Sequence, residues 1–394
     1  MKRLGQGLPG DGEGLPGGRK PEGRKQMKAW VLHEIGRLAL EEVPVPEPGP
    51  GEVLVAVKAA GICGSDIPRI YRTGAHRHPL IPGHEFSGEV AGLGKGTDKG
   101  WLGQRVGVFP LIPCRSCSPC RRKQYEMCRN YGYLGSRQDG GFAEYVAVPE
   151  WNLIRLPQQV GFEEAAMLEP MAVAVHGMRR ILPGDGAMAA TSEGGEARSY
   201  KIAVCGLGTI GLLLLMFLKE AGFREIYVIG NKDFQKKMAL KLGVAEEFYC
   251  DSRKQDQHSW LMERTGGAGV DCYFECVGKS ETYGLAVDGT APAGKVVLVG
   301  NPYSDMELKK EVYWKILRNQ LTVFGTWNSS FTQEDRDDWH YVLKRLAQGN
   351  IDPGGMISHR FLLEELERGL RLMRDKTEDY VKVMGVFGEG RGKR

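Results

Sequence analysis

The sequence predicts an α/β protein of two parts, a compact β-rich domain and a doubly wound parallel-sheet domain. Two textures predict it. From Met27 to about Val148, short Val/Ile alternations are separated by Gly and Pro, as in "GEVLVAVKAAGICGSD", "GHEFSGEVAGLG", "QRVGVFP" and "GFAEYVAV". Such runs read as short half-buried strands. From about Met171 the chain alternates strand and helix. "YKIAVCGLGTIGLLLLMFLKEAG" is a buried strand, a glycine turn and an apolar helix; "EIYVIG", "KDFQKKMALKLG", "GVDCYFECVG" and "GKVVLVG" continue the series. That alternation makes a parallel sheet. After about Trp327, "EDRDDWHYVLKRLAQG" and "LEELERGLRLMRD" have helical spacing and are expected to return to the first domain. The expected division is a disordered tail at 1–26, a substrate- and metal-binding domain at 27–172 and 328–387, a dinucleotide-binding domain at 173–327, and a second tail at 388–394. A Gly/Ala/Ser-rich segment, "LPGDGAMAATSEGGEARSY", is expected to be an exposed loop.

Composition narrows the function. The 394 residues suffice for two cores. No apolar run approaches the roughly 18 residues of a membrane span, and "IGLLLLMFL" is too short. The opening segment lacks the apolar centre of a secretory signal, while "MKAWVL" at Met27 reads as a natural start. The net charge is +4, but residues 1–26 contribute +3 and the last seven +2, leaving about −1 for the folded part. A nucleic-acid footprint requires a basic face on a folded domain, so nucleic acid is excluded as a partner. Nine cysteines, an odd number with a local cluster, point to metal in a reducing cytoplasm rather than to disulfides.

Cys114, Cys117, Cys120 and Cys128 follow the spacing C-x2-C-x2-C-x7-C. Four thiolates so spaced fill a tetrahedral zinc site and leave no position for substrate, so this site is structural. An iron–sulfur cluster fits less well, because the ferredoxin run has a shorter last interval followed by Pro, and here Arg129 follows Cys128. A second set is scattered: Cys63 in "GICGSDIPRIY", His84 and Glu85 in "IPGHEFSG", and Glu169 in "MLEPMAVAVHG". Cys, His and carboxylate together make an open zinc site with room for a water or an alcohol.

These motifs, in this order, resemble the zinc-containing medium-chain alcohol and polyol dehydrogenases from Met27 to about Phe387. The resemblance rests on C-G-S-D (63–66), G-H-E-F-S-G (83–88), the four-cysteine lobe, L-E-P (168–170) and the glycine turn (206–211). It implies a GroES-like catalytic domain, a Rossmann cofactor domain, two zinc ions per chain and a homodimer or homotetramer, with the "KVVLVG" strand as a candidate joint. The glutamate of L-E-P points to the polyol branch. "CGSDIPRIYRTGAH", "PLIPCRSC", "GSRQDGGFAEY" and "GTWNSS" are similar to the galactitol-phosphate dehydrogenases, which implies oxidation of galactitol 1-phosphate to tagatose 6-phosphate. Cys63 and His84 would then hold the catalytic zinc, with Glu169 bound directly or through water. Such a site acidifies a substrate hydroxyl and so favours hydride departure. Asp66 is suited to hold the other ring nitrogen of His84, Glu85 to exchange onto the metal, and Ser65 to take the hydroxyl proton. Pro68 stands where relatives carry a relay histidine, which leaves the path beyond Ser65 open.

In "IAVCGLGTIGLL", Gly206, Gly208 and Gly211 lie between an apolar strand and a helix that begins near Thr209 and Ile210. That is the context of a dinucleotide pyrophosphate site. The acid that binds NAD ribose belongs at the end of the next strand, and there the chain has Gly230. With no carboxylate to repel a 2′-phosphate, Lys232 and Asn231 could bind it, which leans the reading towards NADP. Alternatively, Asp233 binds ribose one turn on, and the resemblance implies NAD.

A polyol phosphate needs cationic donors near the cleft. "PRIYRTGAHRHP" offers them, with Arg72 and Arg77 as the candidate phosphate contacts. The competing activities are sorbitol/xylitol or threonine dehydrogenation on the same machinery. From another class, the chain would be a non-catalytic dinucleotide-binding regulator, retaining one zinc rather than two.

Overall fold

The computed structural model describes residues 25–182, 199–302 and 304–387. Residues 1–24 of the tail expected at 1–26, the tail expected at 388–394, and most of the Gly/Ala/Ser-rich segment lie outside the described residues. Gln26 differs from expectation: it opens the strand Gln26–Glu34, paired antiparallel with Arg37–Pro44.

Two sheets organise the chain. The seven-stranded sheet runs in the order Ile357–Phe361, Lys382–Val386, Glu52–Ile62, Glu85–Leu93, Arg105–Val108 and Leu153–Arg155, with Tyr145–Pro149 also on Glu52–Ile62. Glu52–Ile62 is its spine. Val53, Val55 and Val57 alternate inward and are buried, and from Ala59 to Ile62 every residue is buried, so the strand enters the core as it approaches Cys63. The C-terminal segment contains the expected helices, Asp338–Ala347 and Leu366–Asp375, but also two strands that join this sheet beside the spine.

The six-stranded sheet is parallel throughout, ordered Tyr249–Asp251, Ile226–Gly230, Ile202–Cys205, Val270–Glu275, Thr290–Leu298, Thr322–Gly325. Its order reverses between Ile202–Cys205 and Val270–Glu275, and the crevice at such a reversal receives the ligand. "KVVLVG" cannot be the joint between subunits, because its strand is hydrogen-bonded on both sides. Thr322–Gly325 is the edge strand on that side.

The helix Leu168–Met178 crosses the boundary expected at 172/173 without a break. It packs on the helices Thr209–Glu220 and Asp338–Ala347, and its C-terminal turn is tied to the second. There the ring of His176 meets Asp338 at 2.8 Å, and Arg179 donates to the same carboxylate at 2.7 Å. Nearby, Phe331 and Trp339 pack against Phe109 with ring centroids 4.8 and 5.5 Å away, and the Trp339 indole donates to Ser329 at 3.0 Å. Both are buried almost completely. Trp339→Ala is expected to cost about 3–5 kcal/mol, whereas Trp327→Ala, at a residue 57% exposed, stays within about 0.5 kcal/mol. Denaturant unfolding of the two variants checks the contrast.

Candidate active site

Cys63 leaves the end of the spine strand, and His84 precedes the strand paired with it, Gly61 lying opposite Glu85. The pairing gathers ligand atoms of Cys63, His84 and Glu85 within 4.8 Å of one another. A thiol, an imidazole and a carboxylate so placed fit a zinc ion.

Each is supported from behind. Asp66 is fully buried, accepts from the Cys63 N–H at 3.0 Å, pairs with Arg69, and lies 3.4 Å from His84 Nδ1. That last contact is an ion pair rather than a close hydrogen bond, and it is what occupies Nδ1. It leaves Nε2 as the ring atom for a metal. Burial opposes the charged form of both side chains, yet their mutual attraction prevails: Asp66 is held below its ordinary pKa and His84 well above. Ser65 donates to Cys63 Sγ at 3.3 Å.

Glu85 is not free. Lys382, from the last strand, binds its carboxylate and also donates to the Ile62 carbonyl at 3.2 Å, with both charged residues 2% exposed. A side chain at Gly61 would overlap the Glu85 carboxylate and crowd Lys382, so the spine needs glycine there. Glu169 sits in the first turn of its helix and accepts from Tyr133 at 3.2 Å. It lines the same cleft but lies outside the 4.8 Å group. Burial pushes its carboxyl up to about 7, against the pull of His84. Lys382 and Tyr133 were not anticipated from sequence. A lone lysine in the apolar run "YVKVMGVF" was the available signal for the first; nothing marked the second.

The four-cysteine lobe closes on itself. Cys117 Sγ is 3.4 Å from Cys120 Sγ and 3.9 Å from Cys128 Sγ, and the Cys114 N–H points to Cys128 Sγ at 3.2 Å. Bonds of about 2.3 Å to a tetrahedral zinc set sulfurs roughly 3.8 Å apart, so the spacing fits. None of the four forms a disulfide. Hydrogen bonds from Ser116 pull the Cys114 thiol down to about 6, towards the thiolate that binds metal.

At the glycine turn the three glycines have different duties. Gly206 has φ +95°, and a side chain there would meet Val277 at 2.6 Å; one at Gly211 would overlap the Gly206 carbonyl. At Gly208, by contrast, a side chain would meet no protein atom within 4 Å. Gly206 and Gly211 pack the turn, and Gly208 leaves space before the helix N-terminus, as a pyrophosphate requires. Thr209 is used differently, its hydroxyl donating to the Val381 carbonyl at 2.5 Å. Ile210 is half-buried.

Near Gly230, a side chain would lie 2.7 Å from the Tyr249 hydroxyl, so an acid there would require the Tyr249 ring to shift. The Asn231 N–H donates to Gln235 at 3.1 Å, and Lys232 Nζ lies 3.6 Å from Asp379. Asp233 is paired with Arg253, which also binds Asp251. Arg253, beyond the next strand, was not anticipated.

The metal ligands open into a cleft of about 660 Å³. Cys63, Ser65, His84 and Glu169 line one side, and Glu275, Leu298 and Gly325, at the C-terminal ends of parallel strands, line the other. Arg72 and Arg77 are not among its lining residues, a correction to the sequence expectation. Arg77 donates to Asp139 at 2.7 Å and to the Arg137 and Pro79 carbonyls, and lines a separate cavity of about 390 Å³. Arg72 is exposed on its turn. From the same segment, Arg69 and His76 face the cleft instead.

A family profile described as "Alcohol dehydrogenase GroES-like domain" matches residues 49–158, and one described as "Zinc-binding dehydrogenase" matches 209–348. The chain belongs to the zinc-containing medium-chain dehydrogenases, in their polyol branch, and is a zinc-binding, NAD(P)-dependent oxidoreductase acting on a small polyol-type substrate. Within that branch it is similar to galactitol 1-phosphate 5-dehydrogenase of Escherichia coli K12, with 31% identity over 347 residues covering 88% of this chain and 96% of the relative. The crystal structure of galactitol-1-phosphate dehydrogenase from Escherichia coli superposes with a TM-score of 0.81 at 29% identity, covering 91% of this chain and all of that one. A zinc-binding dehydrogenase from Sinorhizobium meliloti bound to NADP gives 0.79 at 27%, covering 92% and 100%. Among the described residues, no helix is long and apolar enough to cross a membrane.

Two tests follow from this geometry. Cys120→Ser is expected to lower bound zinc from two ions per chain to one and to reduce the melting temperature, read by elemental analysis and thermal unfolding. Gly211→Ala should destabilise the fold through backbone overlap, while Gly208→Ala keeps the melting temperature but weakens dinucleotide binding at least tenfold, as a methyl group enters the pyrophosphate space. Calorimetric titration with the dinucleotide separates the two.

Proposed function

We propose that the chain oxidises a phosphorylated hexitol, with galactitol 1-phosphate to tagatose 6-phosphate as the reaction, and passes the hydride to a nicotinamide dinucleotide. The observation that carries this reading is a Cys63–His84 ligand pair opening onto a cleft whose far wall is the C-terminal edge of the parallel sheet. Likeness to galactitol 1-phosphate 5-dehydrogenase supports the substrate. A zinc ion there would lower the pKa of the substrate hydroxyl, and the nicotinamide ring would accept the hydride.

The residues divide the remaining work. Cys63 and His84 would hold the metal, and Glu169, standing back from them, suits contact through water. Asp66 orients His84, and Lys382 restrains Glu85 beside the metal. Ser65 directs its own hydrogen to Cys63 Sγ, so its lone pairs are available to accept a hydrogen bond from the substrate hydroxyl. For the dinucleotide, Gly206, Gly208 and Gly211 would cradle the pyrophosphate. The absence of an acid at Gly230, with Asn231 and Lys232 beside it, favours NADP, which the Sinorhizobium meliloti protein binds. A homodimer or homotetramer would join through the edge strand Thr322–Gly325, which lies near the exposed Tyr313, Trp314 and Leu317.

Initial rates with NAD and NADP against galactitol 1-phosphate, sorbitol 6-phosphate, sorbitol and threonine test the proposal. The expected result is the highest kcat/KM with galactitol 1-phosphate and NADP. Turnover confined to unphosphorylated substrates would reject the phosphorylated hexitol.

A further inference from the structure

One wall of the cleft brings together polar donors and two arginines, of which, among the described residues, only Arg69 has a carboxylate partner, Asp66. Arg69, His76, Tyr131 and Ser136 line it. Arg69 uses one terminal nitrogen on Asp66 and has no other carboxylate partner among the described residues. Behind this wall, the Arg137 guanidinium lies over the Tyr131 ring, 4.7 Å from its centroid. Arg137 has no carboxylate partner among the described residues, and its Nε is buried without a hydrogen-bond partner. The nearby carboxylate, Asp139, is occupied by Arg77 and the Ile81 N–H. His76 lies in the field of both arginines; partial burial and then Arg137 and Arg69 hold its pKa below the ordinary value.

A guanidinium with a buried, unmatched N–H is costly unless an anion completes it. Arg is also the side chain whose planar donors best match phosphate oxygens. We infer that Arg69, His76 and the Ser136 hydroxyl, which line the cleft, form the subsite for the substrate's phosphate, with Arg137 behind Tyr131 supplying a second guanidinium charge. This rests on the phosphorylated-hexitol reading and replaces Arg72 and Arg77 as its contacts. Asp66 touches both Arg69 and His84, so the subsite begins one carboxylate away from the metal ligands. In a hexitol 1-phosphate oxidised at carbon 5, phosphorus is six bonds from the reacting carbon, roughly 7 Å when extended. A phosphate carries nearly two negative charges at neutral pH, which the two guanidinium groups balance while the His76 ring and the Ser136 hydroxyl add hydrogen-bond donors.

The test uses the zinc-loaded enzyme with its preferred dinucleotide. Wild type, Arg137→Gln and His76→Asn are compared for KM and kcat on galactitol 1-phosphate and on galactitol. Inorganic phosphate and gluconate serve as competitors, and zinc content and melting temperature check folding. The expected result for each variant is a KM for the phosphorylated substrate raised about tenfold or more, with kcat and the KM for galactitol within about twofold. The inhibition constant of inorganic phosphate should rise in parallel. Unchanged phosphate inhibition in both folded variants, equal losses on both substrates, or stronger competition by gluconate than by phosphate would overturn the subsite. If the wild type oxidises only free polyols, the proposed reaction fails by itself, and the inhibition constants still decide the subsite.

Discussion

A charge buried in a protein interior has to be matched where it stands, and the metal site is built on that requirement. Asp66, His84, Glu85 and Lys382 are each at most 4% exposed. Asp66 faces His84 and Arg69, and Glu85 faces Lys382. Stranding one member of such a pair costs about 3–5 kcal/mol, so the groups specify one another's positions. Lys382 lies 297 residues after Glu85. The catalytic wall is therefore complete only when the last strand has joined the spine, and glycine at position 61 is the space that lets the pair meet across it.

The helix Leu168–Met178 carries the same logic to the other sheet. Its first turn presents Glu169 to the cleft, its body packs on the cofactor-side helix, and its last turn is tied to Asp338. One rigid element thus spans the line along which the chain would otherwise divide. Glu169 at the cleft and the helix that follows the glycine turn share a common mount. The four-cysteine lobe is separate from this chemistry: its sulfurs face one another rather than the cleft.

Much of this was legible because it is local. The strand–glycine–helix turn, the four-cysteine spacing and the C-G-S-D and G-H-E motifs each lie within a dozen or so residues, and their chemistry follows from spacing. What was not legible depends on contacts between distant segments. Lys382 is a single polar residue in an apolar strand until its partner is known. Arg69, Arg72 and Arg77 are equivalent in a basic run, and only the carboxylates of Asp66 and Asp139 sort them into cleft, solvent and second cavity. "KVVLVG" reads as a strand, but its periodicity does not say which strand lies beside it. The two C-terminal strands were concealed by the stronger helical pattern around them.

The tyrosine hydroxyl beside Gly230 couples two parts of the ribose end through packing. The first side-chain atom of any residue placed there would lie 2.7 Å from that hydroxyl, which itself donates to the Lys232 carbonyl at 3.3 Å. A larger residue would have to turn the Tyr249 ring aside, and the ring would then give up its hold on the Lys232 backbone. The size of residue 230 and the anchoring of the loop after it are thus linked through one hydroxyl.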